Sequence, residues 1–288
     1  MRKIAEEFPT YSDFNFVSLF TWNNDGSISI TYLNGNLIVK FSDYTNGEVF
    51  LSFLGVNRIL NTINLLLNYC TENNIEPKLR LIGQSVVDAL SGEDRDKYRI
   101  EEDRDNHDYI LSAANMADLT KIDPRKRTKY NHFLRKHGNH AVCRELNLNS
   151  ESTHIEIKQL LVDWQRTRGR SDIETEREFA AINRCLMNSK ELNIHGYGTY
   201  VRDKLTAFTL FELVHNKTAM LHFGKSNINI KGSNEHLQHN LAKYLQILDV
   251  ELMNNEQDLG IEGLRNSKKA SLPVYFLKKY TISLAPKK

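Results

Sequence analysis

From Glu93 to Asp108, twelve of sixteen residues are charged, eight acidic and four basic. A stretch of that composition cannot fill an apolar core, because isolated buried charges are costly. It divides the chain and reads as a solvated connector, with a short amphipathic helix or an exposed strand as the alternative. The two sides are organised alike. Before it, Ile28, Ile30 and Tyr32 alternate up to Asn34-Gly35, and Leu37, Val39 and Phe41 alternate after it. Asn-Gly is the favoured pair for a two-residue type I′ turn, which sets Tyr32 opposite Leu37, Ile30 opposite Val39 and Ile28 opposite Phe41. Val49–Leu54 reads as a third strand. Val56, Ile59, Leu60, Ile63 and Leu67 follow helical spacing, and a short strand at Lys78–Ile82 leads into a helix over 85–90. Tyr11 to Trp22 is rich in aromatic residues and reads as core.

Beyond the connector, Ala141–Leu146 reads as a strand. Ile157, Leu160, Leu161 and Trp164 mark a helix ending near Gly169, and Thr175 with Glu178 has the capping-box spacing for the next. Tyr197–Val214 reads as a hairpin around Asp203-Lys204. Thr218–Lys225 reads as a strand with Ala219, Leu221 and Phe223 on one face and Met220 and His222 on the other. Leu237, Leu241, Leu245 and Leu248 mark a helix, and Leu252-Met253 a strand. Strands and helices in this order predict a mixed α/β fold in two domains, 1–107 and 108–288, and 288 residues suffice for two cores.

The charge then inverts. Lys121, Arg125, Lys126, Arg127, Lys129, Arg135 and Lys136 lie within sixteen residues, opposed by Asp123. Asp123 can cap a helix that opens on Pro124, with Tyr130, Phe133 and Leu134 inward. Arg125, Lys126, Arg127 and Lys129 are expected on its exposed face, suited to a phosphate backbone or an anionic head group. His132 is a candidate base or phosphate ligand. A second dense stretch runs from Glu256 to Lys268, with carboxylates at 256, 258 and 262 and cations at Arg265 and Lys268. Gly260 and Gly263 would let it turn tightly or approach a ligand.

A net charge of +2 excludes a global polycation. Three scattered cysteines, Cys70, Cys143 and Cys185, suggest a reducing compartment and no metal site. There is no apolar signal region and no run long enough to span a bilayer, so a cytoplasmic location is expected, with peripheral contact at a membrane.

Glu256-Gln257-Asp258-Leu259-Gly260, Gly263-Leu264-Arg265 and Lys279-Tyr280 resemble the closing segment of the phosphatidylglycerol lysyltransferase C-terminal family. Asp108-Tyr109-Ile110, Lys129 to Phe133 and His222-Phe223-Gly224-Lys225 resemble it as well. Tyr130 stands where the family usually has arginine, while Asn131-His132 remains. The resemblance implies two tandem GNAT-like acyltransferase domains. It implies transfer of an acyl group, typically an aminoacyl group from a charged tRNA, onto a lipid hydroxyl. Aminoacyl-tRNA or acyl-coenzyme A is the candidate donor, and tRNA and an anionic lipid surface are the candidate partners. Lys225, Glu256, Asp258 and Arg265 are expected at one cleft. Asp258 or Glu256 would orient an amine, and Lys225, Arg265 or Lys268 would stabilise negative charge. Arg125, Lys126, Arg127, Lys129, Asn131, His132, His222, Gly260, Gly263 and Lys268 are expected to bind substrate. The first domain has no glycine-rich phosphate loop apart from a weak candidate at Gly55 and is expected to be non-catalytic. The alternative is a non-catalytic GNAT-like module that holds an anionic partner through the basic helix. The oligomeric state stays open.

Overall fold

The computed structural model describes residues 1–23, 26–43, 47–168 and 173–286, so the expected helix end at Gly169 lies outside the described residues. In chain order, the residues before 108 form α1 (Arg2–Ala5), α2 (Phe16–Trp22), β1 (Ser29–Leu33), β2 (Asn36–Ser42), β3 (Val49–Leu54), α3 (Ile59–Glu72), β4 (Lys78–Gly83), α4 (Gln84–Asp88), α5 (Gly92–Arg95) and β5 (Tyr98–Glu102). There follow β6 (Asp108–Ser112), α6 (Ala113–Met116), α7 (Pro124–His137), β7 (Ala141–Glu145), α8 (Glu151–Arg168), α9 (Ile173–Met187), β8 (His195–Val201), β9 (Lys204–Val214), β10 (Thr218–Ser226), α10 (Ser233–Ile247), β11 (Leu252–Asn254), α11 (Glu262–Lys269), β12 (Tyr275–Leu277) and β13 (Lys279–Leu284). One sheet has the order β1-β2-β3-β4-β13-β5 and the other β12-β6-β11-β10-β9-β8-β7. The fold is mixed α/β.

Two compact units result, but their boundary is not a single cut. The first comprises 1–108, 257–261 and 276–288, and the second 109–256 and 262–275. The C-terminal strand, expected with 108–288, instead lies between β4 and β5 in the first sheet. The reason is burial: Ile282 is wholly enclosed in the core that α3 makes with that sheet, beside Ile38, Phe53, Ile63, Leu67 and Leu79. The charged stretch is partly ordered. Tyr98–Glu102 is an edge strand paired to β13, with Tyr98 inward and Arg99, Glu101 and Glu102 exposed, so the exposed-strand alternative describes it.

The hairpin forms in the expected register, Tyr32 opposite Leu37 and Ile30 opposite Val39. Asn34 and Gly35 both adopt positive φ, 54° and 82°, as the type I′ turn requires. Gly55 is no phosphate loop. A Cβ there would lie 2.2 Å from Asn36 Oδ1, because the buried Asn36 side chain fills that space to bond the Asn57 backbone.

A buried polar network holds the first unit's far-separated segments. Lys279 is 0% exposed, and its Nζ meets Asp108 Oδ1 at 2.8 Å and pairs with Asp13. Ser12 donates from Oγ to Asp108 Oδ1 at 2.6 Å and from its amide to Oδ2 at 2.9 Å. Gln257 closes the ring, donating to Asp13 at 3.1 Å. Burial alone would lower the Lys279 pKa, yet the charges of Asp108 and Asp13 raise it well above the ordinary lysine value. Asp108 and Lys279, which carried part of the family resemblance, are thus fold-holding partners.

In the second unit α10 packs Leu237, Leu241 and Leu245 against Phe211, Ala219 and Met253 of the sheet. Asp123 caps α7 as expected, Oδ1 accepting from the Arg125 amide at 2.7 Å, with Pro124 in the first turn. No helix among the described residues is long and apolar enough to cross a membrane.

Candidate functional site

β10 is the organising strand of the second unit. Against β9, Leu221 lies opposite Phe211 but Phe223 lies opposite Leu210, so His222 is an extra residue in a bulge. Phe211 and Leu210 are consecutive and face opposite ways, hence Leu221 and Phe223 do too. This corrects the expected common face for Ala219, Leu221 and Phe223. On its other side β10 pairs in parallel with β11 for three residues, Thr218 to Met220 against Leu252 to Asn254. Beyond that the partner ends while β10 runs on to Ser226.

His222 sits where the two strands part. Its Nε2 is 3.2 Å from Glu212 Oε1 on β9, and its Nδ1 is 3.2 Å from Glu256 Oε1, just past β11. The His222 ring is buried, whereas the Glu256 side chain is 21% exposed, so Glu256 is the most accessible of the three. Burial opposes a charged imidazole, but the hydrogen bonds and charges of the two carboxylates outweigh it and push the His222 pKa up to about 9. At neutral pH His222 is therefore an imidazolium and not a base. Glu256 has φ 52°, a left-handed conformation, and its amide donates to Asn254 Oδ1 at 2.8 Å. Glu212 was missed in the sequence. The signal was a carboxylate within the run Ala207 to Val214, which is apolar apart from it and Thr209.

The structure thus brings Glu256 and His222 together. Lys225, also on β10, donates to Glu178 Oε1 at 2.6 Å and lies 4.5 Å over the Trp164 ring. Glu178 meets this cation rather than capping α9, which already begins at Ile173. Asp258 belongs to the first unit, is 0% exposed, and holds Arg104 at 3.3 Å and the Gly260 amide at 2.9 Å. Gly260 needs to be glycine: its φ is 74°, and a Cβ would meet Asp105 Oδ2 at 2.8 Å. Gly263 makes no turn. It lies inside α11, with nothing within 4 Å of an added Cβ. Arg265 is on α11 as well, and Lys268 from the same helix donates to the Asn255 carbonyl.

The basic helix differs from expectation at Lys126, which is 6% exposed. Spacing explains it: Lys126, Tyr130 and Phe133 recur at i, i+4 and i+7 and share the inward face. The Lys126 ammonium donates to Ser271 Oγ at 2.6 Å and Gln238 Oε1 at 3.0 Å. Burial lowers its pKa to about 8, only partly offset by Glu235. Because the folded value lies below the unfolded one, stability should rise with pH between about 8 and 10.5 on this group's account. Lys126→Met should abolish that rise in a melting-temperature profile across this window; a rise of unchanged size would sink the assignment. Arg125 folds back on Asp123 at 2.8 Å, and Lys129 pairs with Glu235 at 3.2 Å. Arg127 is half-buried, Asn131 exposed and His132 half-buried. Slight burial, then Lys136, Lys231, Arg135 and His137, holds the His132 imidazole below its usual range.

α7 also covers the start of α10. Gly232, which precedes α10, has φ 90°, and a Cβ there would lie 2.2 Å from the Lys129 carbonyl oxygen and 2.9 Å from Phe133 Cβ. Ser233, Glu235 and His236 in the first turn are buried. Free helix N-termini bind phosphate through exposed amides. This one has no side-chain cap, but α7 covers it at Gly232 and its first turn carries the carboxylate of Glu235.

Two mixed sheets, the second with β10 and β11 paired in parallel, make a tandem GNAT-like fold. The chain belongs to the phosphatidylglycerol lysyltransferase C-terminal family, whose profile matches residues 6–283. Solved structures show the same fold. A conserved protein of unknown function from Bacteroides thetaiotaomicron is 21% identical over 96% of this chain and 92% of its own, with a TM-score of 0.78. The C-terminal domain of an Agrobacterium fabrum protein described as a lysylphosphatidylglycerol synthetase is 10% identical over 99% and 90%, with a TM-score of 0.66. L-PGS from Bacillus licheniformis is 13% identical over 99% and 91%, with a TM-score of 0.62. A comparison with curated proteins finds no match.

Proposed function

We propose that this chain transfers an aminoacyl group from its ester on tRNA to the hydroxyl of an anionic phospholipid. The lipid oxygen attacks the ester carbonyl and loses its proton, the C–O bond to the tRNA ribose breaks, and the ribose hydroxyl leaves protonated. One observation carries the reading: a partly exposed carboxylate, Glu256, held by a buried imidazolium where two parallel strands part. Glu256 would orient the ammonium of the aminoacyl group. His222 and Glu212 would fix Glu256 in place, and their preset charges need no rearrangement during reaction. Lys225, Arg265 and Lys268 are the cations assigned to the developing oxyanion. Asp258, enclosed with Arg104, would position the turn that carries Gly260 rather than touch substrate.

The covered start of α10 supports an RNA-borne donor over a coenzyme A ester, whose diphosphate would need free amides there. The assay is transfer of label from tRNA charged with radioactive amino acids, lysine first, into the lipid extract of phosphatidylglycerol vesicles. Labelled lipid is expected, and Glu256→Gln should lower the rate about a hundredfold at a temperature well below its melting transition, as loss of a preorganised charged contact does. Acylation from acetyl-coenzyme A with none from aminoacyl-tRNA would overturn the donor. Binding of both partners with no transfer at all would leave the non-catalytic module in its place.

A further inference from the structure

The helix α7 carries six basic residues and no acidic one, but they are not equivalent. Lys126 is buried, Arg125 is paired with Asp123, and Lys129 with Glu235. Among the described residues, Arg127, Arg135, Lys136 and the neighbouring Lys231 have no ion pair. At about 3.6 residues per turn, Thr128, Asn131, His132 and Arg135 point away from the inward Lys126, Tyr130 and Phe133, and Lys136 lies on the flank next to His132. Lys231, in the loop before α10, is exposed and acts on His132 together with Arg135 and Lys136. Arg135, Lys136 and Lys231 therefore form one strip around His132, with Arg127 half a turn away from Lys136 and outside it, and among the described residues none of these cations is spent on the protein's own carboxylates. The strip is polar along its length. Leu134, the exposed apolar residue of α7, sits at its margin. Insertion into a lipid surface uses apolar side chains beside the cations, whereas a hydrated phosphate backbone needs cations and hydrogen-bond donors alone.

We infer that the outward face of α7, His132, Arg135 and Lys136 with Lys231, is a docking surface for the phosphate backbone of RNA. The inference rests on the proposed function for the identity of that RNA, the donor tRNA. The same helix closes the N-terminus of α10, so phosphate recognition moves from backbone amides to the far side of the helix that covers them. Asn131, exposed on the same helix, adds a hydrogen-bond donor beside the cations. Such contacts fix orientation without reading sequence.

The test uses the full chain with Arg135→Glu, Lys136→Glu and Lys231→Glu combined, and a control of equal charge change, Lys158→Glu, Lys190→Glu and Lys243→Glu. Unfractionated tRNA binding is measured against salt, and binding to phosphatidylglycerol vesicles in parallel. Melting curves confirm that both variants are folded. The α7 variant should lose at least about tenfold in tRNA affinity, and its log–log salt slope should flatten by about 2 to 3, as expected for three lost phosphate contacts. The control should bind like the unmodified protein. Equal losses in both variants would mean only a general field and would overturn the inference. So would loss of vesicle binding with tRNA binding intact, which assigns the face to a membrane. Failure of the functional reading looks different: tRNA binds through α7, but no aminoacyl group reaches lipid.

Discussion

Lys279→Met should destabilise the protein by about 3–5 kcal/mol, the range for removing one partner of a buried ion pair. Lys279 and Asp108 are both 0% exposed and Asp13 is buried, so water can do little to solvate the carboxylates left behind. Two acidic groups would then face one another, with Ser12 and Gln257 donating to them but no cation between them. Burial already raises the Asp13 pKa even with the ammonium in place. Spread over a unit of this size, the loss corresponds to a melting temperature lower by on the order of 10 °C or more. Adding Asp13→Asn and Asp108→Asn should recover a good part of it, since removing all the charges is far less costly than stranding some. Calorimetry at pH 7 is the measurement. A single variant that melts with the unmodified protein would show that the network contributes nothing. A triple variant no better than the single one would show that packing, not charge, sets the loss.

The second large effect concerns His222. Its folded pKa, about 9, stands above the ordinary value, so the folded state holds this proton more tightly than the unfolded chain does. The stabilisation is fully present below about pH 6.5 and is lost as pH rises through about 9, an effect of roughly 3 kcal/mol over that window. The melting temperature should fall between pH 7 and 8 in the unmodified protein, before the opposing Lys126 effect sets in, and His222→Gln should flatten that fall. Glutamine keeps an amide donor for one of the two carboxylates but supplies no charge. Glu212→Gln should lower the His222 pKa, read from the imidazole resonances, and slow transfer while leaving tRNA binding unchanged. That last split separates a role at the reacting centre from a merely structural one. An imidazole titrating near its ordinary value would remove the basis for both expectations.

Stability above pH 8 combines two opposed terms. His222 loses its contribution while Lys126 sheds a buried charge. The two variants act in overlapping windows and in opposite directions, so each serves as the other's control.

Local order was legible in the sequence because short-range physics sets it. Asn34-Gly35 dictates a turn of one hand and with it the register of β1 and β2. Asp123-Pro124 starts α7 because one side chain can satisfy a free amide and the other has none to satisfy. The inward position of Lys126 was legible too, at four and seven residues before Tyr130's and Phe133's places on the same face. A count of charges hides it; the helical period shows it.

Tertiary structure alone decided which charges meet. Lys279 pairs with Asp108 across 171 positions and Glu256 with His222 across 34. Nothing in the local pattern marks such partners, since a buried charge is tolerated only after another, distant in the chain, has been buried beside it. The same holds for the bulge at His222, which turns Phe223 away from the face of Leu221 and follows from the mismatch of two strands rather than from either one. It holds for β13, which joins the first sheet, where Ile282 enters the core and Lys279 meets Asp13 and Asp108. The sequence by itself determined the elements and their order. The placing of the ions, and with it the site, was decided by desolvation, which depends on the whole fold.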